Sequence, residues 1–382
     1  METEASAQTD KALSRLTADY LGLCLQAPQL TASFARLLQN YGSLAALRHT
    51  EETADWLNKH LHTDAINTEG IERALQWHKS AGQHLILFES DDYPARLREI
   101  DSPPPILFVA GDKRCLHQPA LAMVGSRRCS IGGASNARWV ARQCSQYGLT
   151  IVSGLATGID ASAHRGALDA GKPTIAVLGT GIEQVYPRQN LALAEQIKCC
   201  GALVSEFPLG TPAFPANFPR RNRIVTGLSL GVLVVEAEVK SGSLISARLA
   251  MEQNREVFAM PGPPGARQSA GCHNLIRQGA ILVDQVEQII EELADWLPVN
   301  ETDKVSNVSA SQAEQRQAVV ARLSATGKRI LQRLQGQSCL PDELQAALNM
   351  PWPQVSGGLQ ELELAGLIRQ EGGRVIPLMS LG

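Results

Sequence analysis

The 382-residue chain is short of the features that announce the commoner function classes. Aromatic residues make up 4% of it, so a nucleic-acid platform built on stacking has few rings to use. A Walker lysine loop is absent. The partial dinucleotide turn Gly179-Thr180-Gly181 has Glu183 too close behind it to reach a ribose hydroxyl. Eight cysteines (24, 115, 129, 144, 199, 200, 272 and 339) include no C-x-x-C and no paired metal spacing, which favours reduced, structural thiols. The start, Met1-Glu2-Thr3-Glu4, lacks the basic and apolar regions of a signal peptide, and no apolar run reaches the length of a membrane span. The expectation is a cytoplasmic protein with no membrane insertion, no cofactor and no metal.

What is present is ordinary in bulk and uneven in detail. Hydrophobic residues at 44% are enough to build cores in two or three domains. The formal net charge of -3 argues against a polyanionic partner until it is divided along the chain. Ile106 to Asp284 holds 18 Lys/Arg against 11 Asp/Glu, and the remainder holds 17 against 27. Lys113 to Ile159 carries six basic residues and no acid, and Phe207 to Val235 carries Arg220, Arg221 and Arg223 and again no acid. A basic middle between acidic ends suits a polyanion site.

Periodicity divides the chain at the same places. Residues 1–82 read as a small all-α module of the SAM or helix-hairpin-helix kind, although its acidity and the lack of a glycine-rich hairpin favour packing or protein contact. Residues 83–297 alternate short apolar strands (106–110, 121–124, 149–152, 174–178, 202–205 and 231–235) with helices (130–147, 158–170, 189–199 and 242–253). Strands without polar alternation, separated by helices, predict a mostly parallel sheet covered on both faces. Residues 298–322 read as a polar linker. Residues 323–382 give three short helices and a hairpin, the winged-helix pattern.

In such sheets ligands collect at the carboxyl ends of the strands. Five loops fall there. The turn Val124-Gly125-Ser126-Arg127-Arg128 joins a glycine bend to two arginines, a phosphate-binding combination. Ser153 to Asp160 leads to His164; Asp160 and His164 sit four apart on one helix face, but no third ligand follows, so helix capping and packing are the expected roles. Tyr186-Pro187-Arg188-Gln189-Asn190 sets a cation and an amide at a helix start. Phe214 to Arg223 is read as held extended by its prolines, with Phe218 to stack and a split between exposed and buried arginines. Glu236 to Ser243 brings Lys240 and two hydroxyls to another helix start.

Taken together, the ordered motifs resemble the DNA-processing protein A (DprA, also Smf) family. The residues that carry the resemblance are Val124 to Arg127, Ser153 to Asp160 with His164, Tyr186-Pro187 with Asn190, Ser205 to Pro208, and Phe218 to Ile224. Val235 to Ala237, Ser241 to Ile245, Pro261-Gly262 and Leu275 to Ala280 complete the set. The resemblance is strong over about residues 83 to 293. It implies an extended Rossmann-like α/β domain that binds single-stranded DNA, forms a homodimer and loads the RecA recombinase during natural transformation, without catalysis. Carried onto this chain, the strand-binding residues are Gly125, Ser126, Arg127 and Arg128 in the first loop, and Ser153 and Gly154 in the second. Arg188, Asn190, Phe218, Arg220, Arg221, Asn222 and Arg223 follow, then Lys240, Ser241 and Gly242. Two departures stand out: Thr226 replaces a frequent Ala, and Arg128 doubles the turn arginine. The stretch Leu275 to Ile290 is the candidate dimer face.

The alternative is a nucleotide-processing enzyme of the phosphoribohydrolase type, which uses a P-G-G-x-G-T loop. Here Pro261-Gly262-Pro263-Pro264-Gly265 departs from that loop and lacks its Thr. A duplex-binding transcription factor is disfavoured, because the expected recognition helix, Pro351 to Leu367, carries Glu361 and Glu363 and no Lys or Arg. That module is read as a protein-contact device.

Overall fold

The apolar runs that lack alternation become strands buried on both faces. In the computed structural model every residue of β3 (Ala120–Val124), β4 (Thr150–Ser153), β5 (Thr174–Val177), β6 (Ala202–Ser205) and β7 (Gly231–Val234) is buried. The structure describes residues 15–26, 28–61, 67–297, 323–334, 339–365, 367–371 and 373–377. The linker expected over 298–322 lies outside them.

With β1 (Gln83–Leu87), β2 (Ile106–Gly111), β8 (Glu256–Ala259) and β9 (Ile281–Leu282), strands β3 to β7 form one nine-stranded sheet in the order β1-β2-β6-β5-β4-β3-β7-β8-β9. From β6 to β9 all neighbours are parallel, while β1 and β2 join the β6 edge antiparallel. Strands β1, β8 and β9 lie outside the expected set: Leu85 to Phe88, Val257 to Met260 and Ile281 to Val283 are apolar but short, and β1 and β9 are only partly buried.

Helices α7 (Ile131–Gln146), α8 (Ile159–Asp169) and α9 (Leu191–Cys200) carry the chain outward from β3 to β6. Helices α10 (Asn217–Gly227) and α11 (Ser243–Glu252) carry it back through β7 to β8. Right-handed crossovers running in opposite directions put these two groups on opposite faces. The mostly parallel sheet expected from the sequence is observed, with an antiparallel edge at β1 and β2.

The amino-terminal helices, α1 (15–24), α2 (Pro28–Tyr41), α3 (Leu44–Leu47), α4 (Glu51–Leu61) and α5 (Thr68–His78), and the short α6 (Ala95–Arg98) after β1, pack into the same core as the sheet. Trp77 meets Phe108 of β2 with ring centroids 5.8 Å apart, and Gln39 Nε2 donates to Ile100 O at 2.6 Å. A second compact unit contains the carboxyl-terminal module. Its helices Ala325–Leu334, Pro341–Leu348 and Trp352–Leu364, followed by the hairpin Ile368–Glu371 and Arg374–Pro377, are the winged-helix elements. The acids of its third helix are engaged within the module. Glu361 accepts from Ser324 N at 2.7 Å and Oγ at 2.5 Å, and Glu363 accepts from Gln370 N at 3.3 Å and Nε2 at 3.0 Å.

His164 on α8 is fully enclosed. The Thr174 hydroxyl donates to Ile151 O at 2.7 Å, so at the 2.8 Å contact the ring must donate, from Nδ1. Burial pushes its pKa down from 6.5 to about 3. Across that window the unfolded chain binds a proton that the folded chain refuses, so stability falls as pH falls. From pH 7 to pH 5 the loss attributable to this group is about 2 kcal/mol. Urea midpoints at the two pH values should therefore converge in His164→Gln relative to wild type; an unchanged pH dependence contradicts the assignment.

Candidate nucleic-acid interface

Strand order reverses at β3: the chain leaves it for β4, β5 and β6, then returns to β7 on its other side. The loops after β3 and β7 therefore diverge, and an open α/β sheet takes its ligand in that crevice. Backbone ties close the floor. Ser126 N–H donates to Glu236 O at 2.8 Å, Ile159 N–H to Ser126 O at 3.3 Å, and Thr157 Oγ1 to Arg127 O at 3.1 Å. A Cβ on Gly125 would stand 2.6 Å from Ile159 Cγ1. Gly158, at φ +77°, lies so close to the turn that a Cβ would meet Ser126 O at 2.3 Å.

These ties narrow how the turn can bind. A glycine bend between strand and helix commonly offers N–H groups to phosphate, but here Ser126 N–H is committed to Glu236 and Arg128 N–H donates to Ser126 Oγ at 3.1 Å. What the turn presents outward is side chains. Arg127 and Arg128 are exposed, and so are Arg188 and Lys240 on neighbouring loops. Among the described residues none of these four has an ion-pair partner. Gly242 is exposed at the start of α11, and Ser241 Oγ lies 2.7 Å from Ser243 Oγ.

The arginine-rich segment is not extended. Helix α10 begins at Asn217, and Pro219 occupies its first turn, where a missing N–H breaks no helical bond. Helical phase then separates the arginines. Arg220 and Arg223, three apart, converge on the buried Glu206: Arg220 Nη2 at 3.0 Å, Arg223 Nη1 at 2.6 Å and Nη2 at 2.7 Å. Arg221 turns inward and is 4% exposed, with Nη1 donating to Gly154 O at 2.9 Å and to Val177 O. Asn222 is half-buried, its Oδ1 accepting from Arg221 Nε at 3.3 Å.

Other candidates also face the protein. Ser153 Oγ donates to Met123 O at 2.6 Å, and Asn190 Nδ2 donates to Leu155 O at 2.9 Å; both residues are buried. Gly154 is buried between Arg221 and Asp160, whose Oδ2 accepts from Gly154 N at 3.2 Å and Ala156 N at 3.3 Å. Asp160 thus caps the loop before its own helix, and His164 turns away to Thr174, so the two do not share a ligand. Burial raises the Asp160 pKa against the opposing charge of Arg221, and lowers that of Arg221 to about 10.

Rings complete the surface. The Arg127 guanidinium lies over Phe218, 5.5 Å from the centroid, and Phe218 tilts against Tyr186 at 5.4 Å and 41°. Tyr186 is 49% exposed and was not among the sequence candidates. Its signal was its place two residues before Arg188 in a chain with only five tyrosines.

Comparison with known proteins bears on the family. The family model for DNA recombination-mediator protein A matches residues 84–294, and that for the DprA winged helix domain matches residues 312–374. The chain is 41% identical over 347 residues to protein Smf of Escherichia coli (strain K12), covering 85% of this chain and 90% of that one. Among solved structures, DNA processing protein A from Streptococcus pneumoniae superposes with a TM-score of 0.61 at 34% identity, over 72% of this chain and 95% of that one. The protein of the same name from Helicobacter pylori, described for its single-stranded DNA binding mode, gives a TM-score of 0.52 at 28% identity, over 56% of this chain and 97% of that one.

The Glu206 cluster makes a stability prediction. Its carboxylate side chain is 2% exposed, against 14% for Arg223 and 34% for Arg220. Glu206→Ala leaves two cations facing each other without their counter-charge, and should cost roughly 3 kcal/mol, read as a lower urea midpoint. A midpoint within error of wild type contradicts the assignment.

Proposed function

The chain belongs to the DNA recombination-mediator protein A family, and from that footing we propose that it holds single-stranded DNA across the carboxyl ends of β5, β4, β3 and β7 and loads the RecA recombinase onto it. The observation that carries this reading is the unpaired Arg127 lying on Phe218 beside the exposed Tyr186. A cation with no internal counter-ion suits a phosphate, and rings next to it suit an unpaired base. Arg128, Arg188 and Lys240 extend the basic floor, with the Ser126 and Ser241 hydroxyls and the Gly125 and Gly242 bends beside them. Phe218 supplies the stacking face. Arg220 and Arg223 are held by Glu206 and frame the site instead of leading it. The helix over Trp352–Leu364, whose acids are occupied within its own module, suits contact with protein.

We extend the proposal to what membership of the family implies. The protein acts as a binder and not an enzyme, in the cytoplasm, with the strand site in a domain over 83–297. It works as a homodimer in the handling of incoming strands during natural transformation; of the candidate face Leu275 to Ile290, Leu282 is exposed, whereas Leu275, Val283, Val286, Ile289 and Ile290 are buried within the chain's own core. No helix among the described residues is long and apolar enough to cross a membrane.

Binding led by phosphate contacts should tolerate sequence and weaken steeply with salt. In a salt titration with oligo-dT and a matched duplex, the single strand should bind more tightly throughout. Arg127→Ala should weaken the single strand by roughly 10- to 100-fold, the worth of one charge-assisted hydrogen bond. It should also lower the slope of log K against log salt by about one. Wild-type affinity in that variant, or preference for the duplex, overturns the proposal.

A further inference from the structure

Arg221 lies in the arginine-rich segment, yet it is the one arginine of that segment that is closed off from solvent. Burying a guanidinium is costly unless its donors and charge are met. Here they are met by the loop after β4. Nη1 donates to Gly154 O and to Val177 O, at the ends of β4 and β5, and Asp160 supplies the opposing charge. The same carboxylate takes the N–H groups of Gly154 and Ala156, so one loop is held through its carbonyl by the cation and through its N–H groups by the anion. The fit leaves no slack: a Cβ on Gly154 would stand 2.4 Å from Arg221 Nη2.

That loop in turn carries the turn that presents Arg127. Thr157 Oγ1 donates to Arg127 O at 3.1 Å, Ile159 N–H donates to Ser126 O at 3.3 Å, and Gly158 lies directly against both carbonyls. We infer that Arg221 is a positioning residue: with Asp160 it sets the Gly154–Gly158 loop, and through that loop it fixes where Arg127 meets a phosphate, without touching the strand itself. This rests on the strand site proposed above. Lysine is a poor substitute, because a single ammonium cannot keep the guanidinium's planar spread of donors.

A double-mutant cycle separates this from a direct contact. Oligo-dT affinity is measured across salt for wild type, Arg221→Met, Arg127→Ala and the double variant, each as the full chain. Acting through Arg127, Arg221→Met should weaken binding by about tenfold in the wild-type background and by less than about twofold on top of Arg127→Ala. The salt slope should fall by about one in either single variant and no further in the double. Equal fold-losses in both backgrounds, or wild-type affinity in Arg221→Met, overturn the inference while leaving the strand site standing. Wild-type affinity in Arg127→Ala overturns the strand site, and the inference with it.

Should Arg221→Met fail to fold, Thr157→Val tests the link through which Arg221 must act, the hydroxyl bond from the loop to Arg127 O. It should weaken binding by about threefold in wild type and leave Arg127→Ala unchanged. Full wild-type affinity or an additive loss overturns the inference.

Discussion

Two loops that leave neighbouring strands in opposite directions are joined by one backbone hydrogen bond, Ser126 N–H to Glu236 O at 2.8 Å. It crosses the point where strand order reverses, between β3 and β7. Because the bond consumes a backbone donor, the turn has one fewer N–H for an anion and relies on the side chains it projects. The close approach behind it leaves no room for a Cβ at Gly125 or Gly158, so the turn, the loop after β4 and the loop after β7 behave as a single layer. The external geometry of Arg127 and Arg128 is set from below by that layer.

Charge is arranged in two tiers above and within it. Below, Arg221 faces Asp160, and Arg220 and Arg223 face Glu206; these cations are neutralised inside the protein and stiffen it. Above, Arg127, Arg128, Arg188 and Lys240 are exposed. A chain with a formal net charge of -3 can thus keep a basic floor, because the acids that offset it lie elsewhere. The upper tier attracts a polyanion, and the lower tier keeps the attractors in register.

Much of this was legible in the sequence, and what was not has physical causes. Apolar strands without alternation disclosed the parallel sheet, and the acid-free stretches pointed to Arg127 and to the arginine-rich segment. The fate of individual arginines was hidden because the prolines suggested extended chain. Pro219 stands instead in the first turn of α10, and the resulting 100° step per residue sends Arg221 inward while Arg220 and Arg223 share a face. Ser153 and Asn190 were similarly ambiguous: a short polar side chain at a strand end serves a ligand or a neighbouring carbonyl equally well, and both serve carbonyls here. The ring contact of Tyr186 was hidden because it joins a loop to the first turn of α10, segments apart in sequence.

The central claim is that a single strand lies against the carboxyl ends of the sheet, with its bases beside Phe218 and Tyr186. Photocrosslinking tests it most directly, using an oligonucleotide substituted throughout with 5-iododeoxyuridine, followed by mass mapping of the attached peptides. The account predicts cross-links concentrated on the peptides that contain Tyr186 and Phe218. Cross-links confined to residues 323–377, or to the amino-terminal ends of the strands, would contradict it.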